Sequence, residues 1–458
     1  MSSHEGSGDA TPVTGIAQLV EHHARGEKPR SAFRIGTEHE KFGFTWPDLE
    51  PLSYQGASGR AGIRHVLESI LARGWRPSVD EGALIALLSD EGSIALEPGG
   101  QLELSGQARA TVHETRDELD RHVAELERLA RELSVRWLWL GAQPVHEPGQ
   151  LGWMPKRRYG VMRDYLPTRG GHALYMMQST STVQANLDYA SERDMGRKLR
   201  AAMGLGSIVA AIFANSPFSR GEPNGHKSFR ASVWSDTDPD RQGLLGFAFD
   251  EAPSYEQYVR WALDVPMFFV VRNGAYLPAR GQTFRDFQAR GFHSDPTISA
   301  TMEDWELHLS TLFPDARIKT YLETRTADCV PPRYILALPA LWKGILYRDD
   351  ALDAAFDLVK RWTLPERWEH RTQVPRDGLL TPIPGSRGKT GDLARELFAI
   401  ARHSLDLQAR EAQIDPESRY LEALAALTAD NRSPADEALA KYRPGMKSRD
   451  LIAALLEP

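Results

Sequence analysis

Several things are scarce or missing in this chain of 458 residues, and each absence excludes a class of protein. Its single cysteine, Cys329, cannot form a disulfide within the chain, which fits a reducing compartment. No stretch approaches the ~20 consecutive apolar residues that a bilayer-spanning helix needs. The formal net charge of −7 is a poor match for a protein that coats nucleic acid. We therefore predict a cytoplasmic protein with neither a membrane nor a nucleic acid among its partners.

The common nucleotide-binding and hydrolase motifs are also missing. Gly388, Lys389 and Thr390 resemble the end of a phosphate-binding loop, but Ile383 stands where that motif requires glycine. No Gly-x-Gly-x-x-Gly pattern opens a helix after a strand, and neither His-Glu-x-x-His nor Gly-x-Ser-x-Gly occurs. If the chain binds ATP, it does so without a Walker-type loop.

What is present is the composition and periodicity of a folded enzyme. Hydrophobic residues make up 41% and charged residues 26%, which is ordinary for a globular protein and excludes a disordered chain. The first half contains alternating segments and amphipathic helices, such as 111–135 and 197–214, and the last quarter is helical in pattern. We predict an α+β protein with a flexible N-terminal tail (1–30), a catalytic domain (31–380) and a helical C-terminal part (381–458).

Carboxylates stand on the polar faces of alternating segments. A period of 2 puts Glu38 and Glu40 on the same face of one predicted strand, roughly 7 Å apart at ~3.3 Å per residue. Two carboxylates that close repel each other unless a cation lies between them. A second predicted strand, 97–104, places Gln101 and Glu103 on one face in the same way. The two segments together indicate a site for a cation.

Two more alternating segments carry groups suited to anions and metals. One has Thr182, Gln184 and Asn186 on its polar face, and the other has Glu323 and Arg325. An acid and a base two residues apart on a strand can hold a cation and a transferring phosphoryl group side by side. Oxygen ligands without cysteine or paired histidines favour Mg²⁺ or Mn²⁺ over zinc. The alternative is that these are the solvated faces of antiparallel strands.

Cations cluster at two further places in this acidic chain. Residues 156–163 include four of them, with Arg158 in the group, and could seat a phosphate or a substrate carboxylate. Arg230 and Trp234 stand four residues apart and would meet on one face of a helix, which suits a carboxylate clamp walled by an aromatic ring. The alternatives are a solvated loop for the first cluster and surface packing for the second.

Six segments, in order along the chain, together resemble glutamate–cysteine ligases of the plant and proteobacterial type. The resemblance runs from residue 30 to residue 350 and is less specific in the helical C-terminal part. The segments are 36–44 (GTEHEKFGF), 96–106 (LEPGGQLELSG), 154–167 (MPKRRYGVMRDYLP), 182–188 (TVQANLD), 213–218 (FANSPF) and 264–267 (DVPM).

The resemblance implies the carboxylate–amine ligase fold shared with glutamine synthetase, in which an antiparallel sheet curls into a funnel with helices outside. It implies ligation of the L-glutamate γ-carboxylate to the L-cysteine amine, the first step of glutathione synthesis. ATP would first phosphorylate the γ-carboxylate, and the amine would then attack the acyl phosphate. The implied partners are glutamate, cysteine and ATP with Mg²⁺ or Mn²⁺, for a chain that acts as a monomer or a homodimer.

The resemblance also implies roles position by position. Glu323 and Arg325 would be catalytic, with Arg325 as the cation beside the transferring phosphoryl group. The residues that would hold the metal ions bridging the ATP phosphates are Glu38, Glu40, Glu97, Glu103 and Glu323. The residues that would bind substrates are Arg158, Thr182, Gln184, Asn186, Arg230, Trp234 and Phe268.

The sequence departs from the resemblance at two points. The plant enzymes carry cysteine pairs that form regulatory disulfides, and Cys329 alone cannot do so. Phe268 stands where we expect a tyrosine in the acceptor pocket, and the loss of a hydroxyl weakens discrimination between acceptors. Three alternatives therefore stand beside the ligase: the same fold with another amine, a metal-dependent ATP hydrolase, and a nucleotide-binding regulator without turnover.

Overall fold

The computed structural model describes residues 8–57 and 59–457, which fold into strands packed among helices. The strands are β1 (Ile35–Thr45), β2 (Arg76–Asp80), β3 (Ala83–Ser89), β4 (Gly92–Leu96), β5 (Leu102–Gly106), β6 (Val135–Leu138), β7 (Val183–Leu187), β8 (Phe218–Ser219), β9 (Glu222–Pro223), β10 (Gln242–Gly243), β11 (Phe269–Arg272), β12 (Ala275–Pro278), β13 (Phe313–Pro314), β14 (Ala316–Ile318) and β15 (Leu322–Thr324).

The helices are α1 (Ile16–Ala24), α2 (Ile63–Leu71), α3 (Val112–Leu133), α4 (Arg157–Tyr165), α5 (Ala173–Ser179), α6 (Glu192–Ile212), α7 (Phe229–Val233), α8 (Tyr255–Asp264), α9 (Phe284–Arg290), α10 (Met302–Ser310), α11 (Pro332–Ile335), α12 (Ala337–Leu346), α13 (Asp349–Asp357), α14 (Leu364–Asp377), α15 (Thr390–Ala412), α16 (Glu422–Ala429), α17 (Pro434–Ala440) and α18 (Ser448–Leu456). Across the described residues, no helix is both long and apolar enough to pass through a lipid bilayer.

One antiparallel sheet, which contains nine strands in the described part of the chain, carries the site discussed below. Its order is β14-β15-β7-β1-β5-β4-β3-β2, and β6 pairs with the C-terminal end of β1. β1 is central because β7 and β5 lie along its opposite edges: Glu38 pairs with Gln184 of β7 and with Ser105 of β5. All 11 residues of β1 are buried. The prediction of an α+β protein with an antiparallel sheet is therefore confirmed.

The two faces of the sheet differ, as the alternation predicts. Val183, Ala185 and Leu187 of β7 belong to the main apolar core, together with Ile35 and residues of α6 and α12. Burial of such a face stabilises the fold by about 25 cal/mol for each Å² of apolar area removed from water. The residues between them, such as Gln184, point to the opposite face, because successive side chains of a strand alternate.

Two long helices begin at capping residues that the sequence supplies. α6 begins after Ser191, whose hydroxyl accepts a hydrogen bond from the Asp194 amide, and it packs against β14 and β15. α3 begins after Thr111, which forms a capping box with Glu114. The observed bounds differ by a few residues from the predicted 111–135 and 197–214, because helix ends depend on these caps.

The C-terminal helices join the same core. α15 packs along α12, where Gly344 permits a close approach: a Cβ at that position would lie 2.8 Å from the carbonyl oxygen of Ala401. Leu341 of α12 and Leu397 of α15 belong to one apolar cluster. The helices after residue 380 are thus held by apolar contact with those before it.

The N-terminal region differs from the predicted tail. Residues 16–24 form α1, whose Leu19 and His23 are fully buried. The Nδ1 atom of His23 lies 2.9 Å from the carbonyl oxygen of Lys319, so the helix is fastened to the turn before β15. Residues 1–7 lie outside the described residues. The prediction of a flexible tail is therefore wrong for the α1 segment, because its apolar stripe is buried against the body.

The buried His308 makes the stability of the fold depend on pH. Its Nε2 atom lies 2.8 Å from the carbonyl oxygen of Ala262, which can only accept, so Nε2 carries a proton and donates. Burial lowers the pKa of His308 to about 4. The unfolded chain takes up a proton near pH 6.5 and the folded chain does not, so stability falls as the pH drops from about 6.5 toward 4.

We expect His308 alone to remove about 2 kcal/mol of unfolding free energy between pH 7 and pH 5. Urea unfolding at both pH values should show that His308→Gln loses less stability on acidification than the unsubstituted protein, by that amount. His403→Gln is the matched control, because His403 is exposed. An equal pH dependence in His308→Gln and the unsubstituted protein would contradict the burial argument.

Candidate active site

Three strands bring acidic side chains to one buried face of the sheet. Glu40 of β1 lies directly opposite Glu103 of β5, and residues directly opposite each other point to the same face. Glu38, two residues before Glu40, therefore shares this face, and its partner in β7 is Gln184. Glu323 of β15 reaches the same face through β7, since its partner Asn186 is two residues from Gln184.

Glu97 joins this group from the turn that follows β4. Its backbone amide donates to the carbonyl oxygen of Gln101, which closes the turn between β4 and β5. The carboxyl groups of Glu97 and Glu103 are hydrogen bonded to each other. The exposed fractions of the five acidic residues are all small: Glu38 6%, Glu40 7%, Glu97 3%, Glu103 0% and Glu323 1%. The face therefore carries five buried carboxyl groups.

Burial and mutual repulsion raise the pKa of three of these carboxyl groups. Burial, with the nearby charges of Glu323 and Glu103, raises the pKa of Glu38 to about 7. Burial, with Glu97 and Glu103, raises the pKa of Glu40 to about 8. The pKa of Glu97 is raised for the same two reasons. A buried group of like charges is stable only if protons or cations neutralise part of it.

Lys156 is a cation that the sequence analysis did not assign to the site. Burial by itself would raise the pKa of Glu103, but Lys156 and hydrogen bonds from Glu97 and Ser105 lower it. The Ser105 hydroxyl lies 3.2 Å from Glu103 Oε1. Lys156 is buried in the loop before α4, within the basic segment that the sequence marks. Its position in that basic segment could have marked Lys156 as a candidate site residue from the sequence. The sequence could not have shown that Lys156 lies near Glu103.

Glu323 is held in its ionised form by two arginines. Its carboxylate accepts from Arg317 Nε at 2.9 Å and from Arg317 NH2 at 2.7 Å, and it also accepts from Arg325. Burial opposes ionisation, but Arg317, Arg325 and Lys319 together hold the pKa of Glu323 well below its usual range. Arg325 also donates to Gln184 Oε1 at 2.7 Å. Arg317 was not predicted, and only its polar character within the short strand β14 could have indicated it.

A cavity of about 340 Å³ opens beside this face. Four predicted residues on the sheet face do not line this cavity: Asn186, Glu38, Glu103 and Glu323. Asn186 instead donates from Nδ2 to Glu38 Oε1 at 2.9 Å. The lining includes Glu40, Glu97, Gln101, Met176, Met177, Thr180, Thr182, Gln184, Arg230, Trp234 and Arg325. The structure thus gathers seven of the sequence-predicted residues in one cavity wall, and Gln101, Met176, Met177 and Thr180 are additions from the fold.

Arg230 and Trp234 form a pair with free donors. Arg230 lies in α7, and its guanidinium carbon is 6.0 Å from the centre of the Trp234 ring. Its NH2 and NH1 atoms donate to the carbonyl oxygens of Arg325 at 2.9 Å and Thr326 at 3.4 Å. Among the described residues, Arg230 Nε and Trp234 Nε1 are buried without a hydrogen-bond partner. Unpaired buried donors are costly, so an acceptor from a ligand fits there.

The same pair belongs to the wall of a second cavity of about 500 Å³. Arg230, Trp234 and Arg325 line both cavities. The second cavity is otherwise bounded by residues of α6, α7, α14 and β13 and by Asp315, which follows β13; they include Ser207, Phe313 and Arg371. Asp315 and Arg371 are paired at 2.8 Å and 2.9 Å, so their charges are already matched.

Arg158 and Phe268, both predicted to bind substrate, line neither cavity. The Phe268 ring is buried, and the Arg241 guanidinium carbon lies 3.9 Å from its centre. The Arg158 guanidinium carbon lies 5.8 Å from the centre of the Phe269 ring. Arg158 Nε and NH2 are buried and, within the described part of the chain, have no hydrogen-bond partner. The fold therefore puts both residues beside Phe269 and outside the lining of both cavities.

The acidic face suits a divalent cation by its chemistry. Its donors are carboxylate oxygens, which Mg²⁺ and Mn²⁺ prefer, and their repulsion would be relieved by positive charge. Among residues 8–57 and 59–457, no three His, Cys, Asp or Glu side chains already surround a single point at metal-binding distance. The acidic residues therefore fit a divalent cation by the type of their donor atoms and by their charge, and their side chains do not form a complete coordination shell in the described part of the chain.

Comparison with known proteins shows the family to which this chain is related. A sequence model of Glutamate-cysteine ligase family 2 matches residues 34–456. The chain is 41% identical over 425 residues to the chloroplastic glutamate–cysteine ligase B of Oryza sativa subsp. japonica. The aligned region covers 93% of this chain and 83% of the rice protein. This chain is 42% identical over 434 residues to the chloroplastic enzyme of Medicago truncatula, with 94% and 83% covered.

A solved structure agrees in fold. The glutamate–cysteine ligase of Francisella tularensis in complex with AMP matches with a TM-score of 0.54 and 13% identity, over 92% of this chain and 87% of that one. At this identity the likeness concerns the fold alone. The predicted carboxylate–amine ligase fold is confirmed.

One prediction is corrected by the same comparison. The rice and Medicago relatives are named as chloroplastic proteins, which contradicts the prediction of a cytoplasmic location, and we withdraw it. Composition and the single cysteine could not separate one reducing compartment from another. The extent of the family match and the identity to these relatives show that the chain belongs to glutamate–cysteine ligase family 2.

Proposed function

We propose that this chain joins the γ-carboxylate of L-glutamate to the amine of L-cysteine with the use of ATP, the first step of glutathione synthesis. The observation that carries the proposal is the buried sheet face with five carboxyl groups, next to Arg325 and to the cavity of Arg230 and Trp234. Membership of the family supports the reaction class. The proposed partners are small molecules, and the chain acts as a monomer or a homodimer.

The reaction has two steps that balance. An oxygen of the glutamate γ-carboxylate attacks the terminal phosphorus of ATP, ADP leaves, and a γ-glutamyl phosphate forms. The cysteine nitrogen then attacks the acyl carbon, the carbon–oxygen bond to phosphate breaks, and the nitrogen loses a proton. Arg325 serves the first step as a fixed cation, since its guanidinium is anchored by Gln184 and Glu323 before any substrate binds.

The acidic residues of the face would hold Mg²⁺ or Mn²⁺; they are Glu38, Glu40, Glu97, Glu103 and Glu323. When bound, such an ion supplies positive charge that neutralises the phosphates of ATP. The part that the chain itself plays is to keep the donors oriented and ionised. Arg317 does so for Glu323 through two donors at 2.9 Å and 2.7 Å. Asn186 orients Glu38 through a single hydrogen bond at 2.9 Å, while burial raises the pKa of Glu38 to about 7.

The unpaired donors suggest where the amino acids bind. Arg230 Nε and Trp234 Nε1 would receive a carboxylate of glutamate, because both are buried without a partner in the part of the chain that the structure describes. The Thr182 hydroxyl donates to the Ala327 carbonyl at 2.7 Å, so its oxygen is left to accept from an ammonium group. Arg158, with two unpaired nitrogens and its guanidinium beside Phe269, would receive the carboxylate of cysteine.

The activity itself is the first test. Full-length protein with Mg²⁺, ATP, glutamate and cysteine should release ADP, and mass spectrometry should detect γ-glutamylcysteine. A panel of amines in place of cysteine defines the acceptor. Failure to release ADP above background with every amine would refute the ligase. Rapid release without any amino acid would favour a hydrolase, because a ligase protects its acyl phosphate from water.

Replacement of Glu323 by glutamine should abolish most of the activity. A neutral amide leaves Arg317 and Arg325 without their carboxylate and removes a proposed metal ligand. We expect kcat to fall roughly 10²-fold or more, since phosphoryl transfer depends on fixed charge. Steady-state kinetics with circular dichroism as a fold check measures this. Glu256→Gln, on an exposed face of α8, should leave kcat unaltered; equal effects of the two substitutions would exclude the proposed role of Glu323.

A metal role predicts a particular kinetic change in Glu38→Gln. We expect the Mg²⁺ concentration for half-maximal activity to rise about tenfold or more, since removal of groups at a metal site typically weakens binding by that order. The measurement is a Mg²⁺ titration at saturating ATP and amino acids, and excess EDTA should abolish activity. The same Glu256→Gln variant is the control. An unaltered Mg²⁺ requirement with reduced kcat would mean that Glu38 acts without a metal.

A further inference from the structure

We propose that Asp328, which follows β15, is a positioning residue that sets the direction of Arg230. The inference rests on the proposed function, in which Arg230 receives a carboxylate of glutamate. Asp328 itself lines neither of the cavities that contain Arg230. Its side chain is fully buried, so its effect on a substrate has to pass through the residues that it contacts.

Asp328 is the acceptor at the centre of a hydrogen-bond network. Its Oδ2 atom accepts from the Asn215 amide at 2.8 Å and from the Ser216 hydroxyl at 2.6 Å. Its Oδ1 atom accepts from the Ser228 hydroxyl at 2.8 Å and lies 4.0 Å from Arg230 NH1. Hydrogen bonds to a charged acceptor are stronger and more directional than neutral ones, so this carboxylate holds both hydroxyl groups firmly.

Both hydroxyl groups pass this orientation to the start of α7. The Ser216 oxygen accepts from the backbone amide of Arg230 at 3.0 Å, and the Ser228 oxygen accepts from the amide of Ala231 at 3.1 Å. A backbone amide can only donate, so each serine must use its own proton elsewhere, and Asp328 accepts both protons. The polarity of the network is therefore determined: amide to serine, and serine to Asp328.

The guanidinium of Arg230 is held by the same short segment of chain. It donates to the carbonyl oxygens of Arg325 and Thr326, at 2.9 Å and 3.4 Å. Residues 325–328 thus hold the Arg230 guanidinium through two carbonyl groups. They hold the Arg230 backbone through Asp328 and the two serines. With both ends fixed, Arg230 Nε and the ring of Trp234 keep one orientation in the cavity wall before a substrate arrives, which is the condition for preorganised binding.

Little room is left for another arrangement around Asp328. A Cβ at position 141 would lie 2.4 Å from the Asp328 Cγ atom, so the glycine backbone fits directly against the carboxylate. In Asp328→Asn, one carboxylate oxygen becomes an NH₂ group that cannot accept, so at least one serine must turn its proton away. The side chain keeps its shape, and the change is one of hydrogen-bond polarity and charge.

The experiment compares Asp328→Asn, Arg230→Lys and the double variant in steady-state assays. We expect Asp328→Asn to raise the KM for glutamate about tenfold, with kcat and the KM for ATP within about twofold. In the Arg230→Lys background the same substitution should add little, because two residues that act through one contact are not additive. Asp304→Asn is the matched control, since buried Asp304 accepts from the Thr301 hydroxyl in the same manner but is paired with Arg272 and not with Arg230.

Each outcome decides one question. If Arg230→Lys leaves the KM for glutamate unaltered, the proposed function of Arg230 fails, and the positioning role fails with it. If Arg230→Lys raises that KM but Asp328→Asn does not, or raises the KM for ATP equally, only the inference about Asp328 is refuted. Should Asp328→Asn not fold, the double substitution Ser216→Ala with Ser228→Ala replaces it; a selective rise in the KM for glutamate supports the inference, and an unaltered value refutes it.

Discussion

Negative charge gathered on one buried face of a sheet is the constraint on which the other features of this protein depend. Carboxylates at such short separations repel strongly where water is excluded. Arg317, Arg325 and Lys156 lie among them and compensate part of the charge. The pKa values of Glu38 and Glu40 nevertheless stay raised, at about 7 and about 8. The face is therefore built to accept more positive charge than the chain itself supplies, which is the physical basis for a cation and a phosphate-bearing substrate there.

The central strand carries buried charge on both of its faces, and this determines its register. Behind Glu40, the Lys41 ammonium lies 3.1 Å from His39 Nδ1 and 2.8 Å from His122 Nε2. Burial lowers the pKa of both imidazoles, so both rings are neutral and these nitrogens accept from the Lys41 amino group, whose own pKa burial lowers to about 7. A slip of one residue would exchange the two faces of β1, so that His39 and Lys41 turned toward the acidic side and Glu40 turned toward His122. The charges that suit the site to its chemistry thus also select one alignment of the sheet.

The end of β15 connects the acidic face with the cavity. Arg325 bonds to Gln184 and Glu323 through its side chain and to Arg230 through its carbonyl group. Three residues later, Asp328 organises the start of α7. A single short segment therefore sets the distance between the groups that would handle phosphate and those that would handle a carboxylate. Such an arrangement suits a ligase of this family, because phosphoryl transfer to a bound carboxylate requires the two reactants to be held in line.

Local pattern in the sequence determined the parts of this protein that depend on a single segment. Period 2 was sufficient to put Glu38 and Glu40 on one face, and helical period was sufficient to locate α3 and α6 to within a few residues. The tertiary structure alone decided that Glu323 joins that face, that Arg317 holds it, and that Phe268 lies away from the cavity. The reason is that periodicity is a property of adjacent residues, whereas strand order and helix docking follow from the burial of apolar faces far apart in the chain.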